Sequence, residues 1–117
     1  MNLSDKQFLF AKDITLLEMW MISQGYKFTY GHAWRSDEEQ TRLFEKGLSN
    51  IKGRGPHGNR LARDYNFFID DNEELTYDKE KIQPIGDFWE SLNPKNKWGG
   101  SYNIRGNWDT PHFERLL

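Results

Sequence analysis

The chain has 117 residues and a formal net charge of −2, from 16 Lys plus Arg against 18 Asp plus Glu, a near-balance that excludes a domain whose main task is coating nucleic acid. That length supports one core, and eight Phe, five Tyr and five Trp supply the large side chains to fill it, which excludes a disordered chain. Zero cysteines exclude a disulfide scaffold, thiolate metal sites and a cysteine nucleophile together.

Near the start, the longest unbroken apolar run is Phe8 to Ala11, and residues 14–22 are interrupted by Thr15 and Glu18. Neither can serve as a signal-peptide core or a bilayer span. The expectation is a single soluble domain over residues 1–117, made in the cytoplasm, with no membrane insertion. No internal repeat or low-complexity tract divides it.

Residues 4–24 read as an amphipathic helix. Ser4 and Gln7 have capping-box spacing, Phe10, Ile14, Leu17 and Met21 recur at helical intervals, and Gly25 is a natural stop. Tyr26 to Tyr30 alternates aromatic and polar residues and predicts a strand. A second helix is expected from Ser36, with Glu39 completing another capping box, to Gly47. Residues 48–59, with three Gly and one Pro, predict a loop. Leu61 to Ile69 reads as a largely buried strand closed by the turn formers Asp70, Asp71 and Asn72. A third helix is expected to begin at Pro84 and to bury Ile85, Phe88, Trp89 and Leu92. Trp98–Gly99–Gly100 and Asn107 to Phe113 predict short antiparallel strands. Helices first and antiparallel strands later indicate an α+β fold.

Charge is uneven along the chain. Between Lys46 and Arg63 stand five basic residues and no acid, while residues 70–80 are acid-rich. A solvated loop accounts for the basic run; a cationic rim that attracts an anionic polymer is the sharper reading.

The three histidines can be weighed one by one. His57 lies among turn formers in Gly55–Pro56–His57–Gly58–Asn59, Asp64 lies in the apolar strand, and His112 lies in Asp109–Thr110–Pro111–His112–Phe113. His32 reads as a surface or rim histidine. A carboxylate in a buried strand is costly unless paired or metal-bound. Arg60 and Arg63 are near it in sequence, but Arg63 is its neighbour and points to the opposite face. Two imidazoles and a carboxylate form a standard three-ligand set for catalytic zinc, leaving a fourth position for water. Seven extended residues span about 23 Å, so His57 must fold back over the strand that holds Asp64. Asp109 and His112 differ by three, so Thr110–Pro111 must turn or bulge to bring both inward. Asp109 then suits a general base and acid, or merely starts a turn; spacing leaves both open. Arg35 either holds a substrate carboxylate or carbonyl by a bidentate fork or packs its stem on an aromatic ring.

These residues resemble a known family. Gly31–His32–Ala33–Trp34–Arg35–Ser36 with Glu39–Gln40 resembles the Arg-containing motif of the D-alanyl-D-alanine carboxypeptidase family, which includes single-domain phage L-alanyl-D-glutamate endopeptidases. His57 to Asp64 followed by Asn66–Phe67–Phe68–Ile69–Asp70 resembles its first zinc motif. Phe88–Trp89–Glu90–Ser91–Leu92, Trp98–Gly99–Gly100 and Asp109 to Phe113 resemble its C-terminal signature. The resemblance covers essentially the whole chain in order. It implies a small antiparallel sheet with flanking helices, the zinc fold shared with lysostaphin-type enzymes and the hedgehog domain. It further implies Zn²⁺ on His57, Asp64 and His112, with Asp109 as acid/base and Arg35 stabilising substrate and oxyanion. The implied substrate is the peptidoglycan stem peptide, cut by a monomer that carries no separate wall-binding domain. A phage-type endolysin would be stored in the cytoplasm and released to the wall at lysis. Gly55, Arg60 and Arg63 depart from the family pattern without touching the ligand set. D-alanyl-D-alanine carboxypeptidase or dipeptidase activity is the alternative on the same machinery. A non-heme iron triad and a non-catalytic zinc-containing binding module are the alternatives from other classes.

Overall fold

A computed structural model describes residues 1–31, 59, 61–71, 73–101, 103–104 and 107–117. The expected second helix from Ser36 and most of the 48–59 loop lie outside the described residues.

Helix α1 spans Leu3–Ser23 and buries Phe10, Ile14, Leu17 and Met21, the four positions that recur along one face. Each such side chain contributes roughly 1.5–3 kcal/mol by leaving water. The helix begins one residue before the expected span 4–24, and its cap lies two residues before Ser4, where the capping-box spacing places it. Asn2 is the cap, its side chain accepting from the Asp5 N–H at 2.8 Å. Ser4 donates to that same Asn2 oxygen, and Gln7 donates to the Asn59 carbonyl. The spacing held no information about Asn2, which competes for the same orphan N–H groups. At the other end Gly25 adopts φ 79°, the Gly25 N–H bonds to Ile22 O, and the Tyr26 N–H reaches back to Met21 O. This is a Schellman closure, which favours glycine at the left-handed position.

Strand β1 is Phe28–Tyr30 and β2 is Ala62–Phe67, paired antiparallel with Thr29 opposite Asn66. The turn expected at Asp70 is present, with the Glu73 N–H donating to Asp70 O at 2.8 Å. Helix α2 spans Lys79–Leu92, five residues earlier than the Pro84 start predicted from sequence. Asp78 caps it by accepting from the Glu80 N–H at 2.9 Å, and the added turn buries Ile82 completely. A proline inside a helix is tolerated here because burial and a good cap offset the missing backbone donor.

Strands β3 (Asn96–Trp98), β4 (Asn103–Ile104), β5 (Asn107–Trp108) and β6 (His112–Arg115) complete the described chain. The main sheet has the order β1-β2-β6-β3, every pair antiparallel, and β4 with β5 forms a separate two-stranded piece. The fold is α+β, as expected.

Side chains alternate across the sheet. Tyr65, Phe67 and Phe113 join the buried cluster with both helices, where Phe10 meets Trp89 edge-on at 5.6 Å between ring centres. Trp20 of α1 stacks on Phe88 of α2 at 4.5 Å. Gly86 lets α2 lie directly on the Trp98 indole, where a Cβ would fall 2.2 Å from ring atoms. The register places Ala62 opposite Glu114 and Asp64 opposite His112, so these four occupy the face turned away from that core.

Candidate active site

Asp64 and His112 are direct partners across the β2–β6 ladder. Their side chains meet, with His112 Nδ1 3.2 Å from Asp64 Oδ1. Arg63 points the other way, as parity predicts: its guanidinium lies 3.9 Å from Glu18 of α1 and 4.6 Å above the Tyr30 ring. The Glu18 carboxylate also accepts from the hydroxyls of Tyr30 and Tyr65. Of the two arginines near Asp64 in sequence, Arg63 thus turns to Glu18, and Arg60 lies outside the described residues.

The turn predicted between Asp109 and His112 is present. The His112 N–H bonds to Asp109 O at 3.1 Å, which closes the turn over Thr110–Pro111. Four further contacts hold it. The Trp98 indole N–H donates to Thr110 O at 2.8 Å, the Thr110 hydroxyl to Tyr77 O at 2.9 Å, the Tyr65 N–H to Pro111 O and the Asp109 N–H to Gly99 O. Gly99 is required for the last of these, because a Cβ there would sit 2.0 Å from the Asp109 carbonyl oxygen. The motif Trp98–Gly99 thus sets the height and direction of the segment that carries Asp109 and His112.

One participant escaped the sequence reading. Glu114 Oε1 lies 3.3 Å from His112 Nε2, and both side chains are buried. The signal was available, since two residues separated by two on a strand share a face. Burial opposes a charge on the His112 ring, but hydrogen bonds to Asp64 and Glu114 and the charges of Asp64 and Asp109 outweigh it. Together they hold its pKa up at about 10, against an ordinary 6.5.

Arg35, His57 and His32 lie outside the described residues. Among the described residues no group of three His, Cys, Asp or Glu side chains is arranged to hold a metal ion. The two expected ligands that are described do fit one. Neighbouring donors of a tetrahedral zinc with bonds near 2.0–2.1 Å stand about 3.3 Å apart, and the Asp64–His112 separation is 3.2 Å. A hard carboxylate oxygen beside an imidazole nitrogen, both shielded from water, is also the donor chemistry zinc accepts.

Comparison with solved structures adds a likeness of fold. The chain superposes on the crystal structure of the Serratia marcescens L-Ala D-Glu endopeptidase ChiX with a TM-score of 0.69. The match covers 92% of this chain and 77% of that one, at 18% sequence identity. The two share a fold. No family model matches the chain, and no curated protein matches it either. The order of elements that carries Asp64 and His112 is thus held in common with a solved peptidase, across a wide divergence in sequence.

Proposed function

We propose that the chain is a zinc-dependent peptidase of the peptidoglycan stem peptide that cuts between L-alanine and D-glutamate. The observation that carries this reading is the side-by-side placement of Asp64 and His112 on adjacent strands, in a fold shared with an L-Ala D-Glu endopeptidase. Asp64, His112 and His57 would hold the ion. Zinc, when bound, supplies Lewis acidity at a scissile carbonyl and makes water a nucleophile near neutral pH.

The chain's own residues do the rest. Asp109 stands three residues before His112 on a turn fixed by five hydrogen bonds, and its charge is felt at the His112 ring. There its carboxylate takes a proton from the attacking water and delivers it to the departing amine as the C–N bond breaks. Arg35, through its two-pronged guanidinium, offsets the charge that develops on the carbonyl oxygen. The buried walls supplied by Trp98 and Thr110 keep this segment from relaxing during the reaction. The protein acts on the wall as a monomer.

Digestion of purified peptidoglycan, followed by mass spectrometry of the products, tests the reading. Peptides with a new amino-terminal D-glutamate are expected, lost on chelation and restored by added zinc. Release of terminal D-alanine alone would overturn the bond assignment, and intact substrate in the presence of zinc would overturn the peptidase.

A further inference from the structure

The proposed site has an unassigned carboxylate on its far side. We propose that Glu114 is a positioning residue: its Oε1 accepts the Nε2–H of His112, which turns Nδ1, beside Asp64, into the nitrogen that receives the metal. This inference rests on the zinc reading above.

The geometry is specific. His112 is held between two carboxylates, Nδ1 at 3.2 Å from Asp64 and Nε2 at 3.3 Å from Glu114. A neutral imidazole has one N–H and one lone pair, so whichever nitrogen donates to a carboxylate leaves the other as the ligand. Asp64 is itself an expected ligand, and Glu114, on the other ring nitrogen, is placed to accept the N–H. Glu114 is also held from behind. Its strand is paired on both sides, with Ala62 and with Lys97, and its carbonyl accepts from the Trp89 indole N–H at 3.1 Å. A carboxylate on so fixed a backbone, itself buried, can select one ring orientation. Outer carboxylates that hold a ligating histidine in this way change metal affinity 10- to 100-fold.

The experiment uses the full chain, with zinc ion alone as the probe. Histidine side-chain ¹⁵N spectra of the wild-type protein loaded with zinc report which nitrogen is bound and which carries hydrogen. Competition with a chromogenic chelator reports affinity. Expected are an Nδ1-bound, Nε2-protonated His112 in wild type and a 10- to 100-fold loss of zinc affinity in Glu114→Ala. Glu114→Gln, whose amide oxygen still accepts the hydrogen bond, is expected within a few-fold of wild type. A wild-type His112 bound through Nε2 would overturn the inference, and this readout needs no variant to fold. Unchanged affinity in a folded Glu114→Ala would overturn it too. A wild-type protein that takes up no zinc would instead overturn the functional reading on which the inference rests.

Discussion

Gly99→Ala isolates the coupling between the core and the turn that carries Asp109 and His112. The added Cβ would sit 2.0 Å from the Asp109 carbonyl oxygen, where ordinary contact begins at 3.4 Å, so one backbone must retreat by about 1.4 Å. Neither side yields easily, because Trp98 anchors the first segment in the core and its indole holds the second through Thr110. Overpacking of this kind costs about 1–3 kcal/mol. The Asp109–Gly99 and His112–Asp109 backbone hydrogen bonds would weaken as well, adding about 1 kcal/mol. The expected total is about 2–4 kcal/mol, a drop in Tm of roughly 8–16 °C for a domain of this size. A shift of about 1 Å in Asp109 should also lower kcat/KM about 100-fold. Thermal unfolding by circular dichroism and peptidoglycan cleavage below the variant's Tm measure the two effects. Gly25→Ala is the control: its Cβ meets nothing within 4 Å, so only the left-handed φ of 79° is penalised. That costs about 1 kcal/mol and leaves turnover alone. A Gly99→Ala protein that melts within 2 °C of wild type (about 0.5 kcal/mol) and cleaves normally would refute the coupling.

Two other outcomes follow from the same site. Asp109→Ala should keep its zinc, measured by metal analysis, yet lose about 10³-fold or more in turnover; near-normal cleavage would remove Asp109 from its assigned role. The metal-free protein should lose stability with alkali. The folded His112 pKa of about 10 lies above the ordinary 6.5, so its contribution is complete below pH 6.5 and disappears as pH rises toward 10. Melting in chelator at successive pH values checks this, and a Tm that holds steady or rises over that interval would contradict it. Saturating zinc should flatten the decline, because the ion and the proton compete for the ring.

Periodicity carried much of this fold. Phe10, Ile14, Leu17 and Met21 mark the buried face of α1 without ambiguity, and parity placed Arg63 and Asp64 on opposite faces of β2. Caps were less legible. Ser4 and Pro84 each satisfy a local rule, but Asn2 and Asp78 offer side-chain oxygens to the same orphan N–H groups. At α2 the burial of Ile82 decides the matter, and burial is a tertiary fact. The pairing of Asp64 with His112 needed the sheet register, which nothing local specifies across 48 positions. Glu114 was overlooked for another reason. An acid two residues beyond a histidine looks like ordinary strand alternation until both prove to be buried.

Strand β6 serves two masters in four consecutive residues. Phe113 and Arg115 look toward the helices, Arg115 reaching Asp13 at 3.4 Å, while His112 and Glu114 look toward the candidate ligand Asp64. Sliding this segment by a single position would thrust an imidazole among the aromatic rings and offer a benzyl group where a donor nitrogen belongs. Misalignment would therefore disturb the aromatic core and the candidate ligand pair at once.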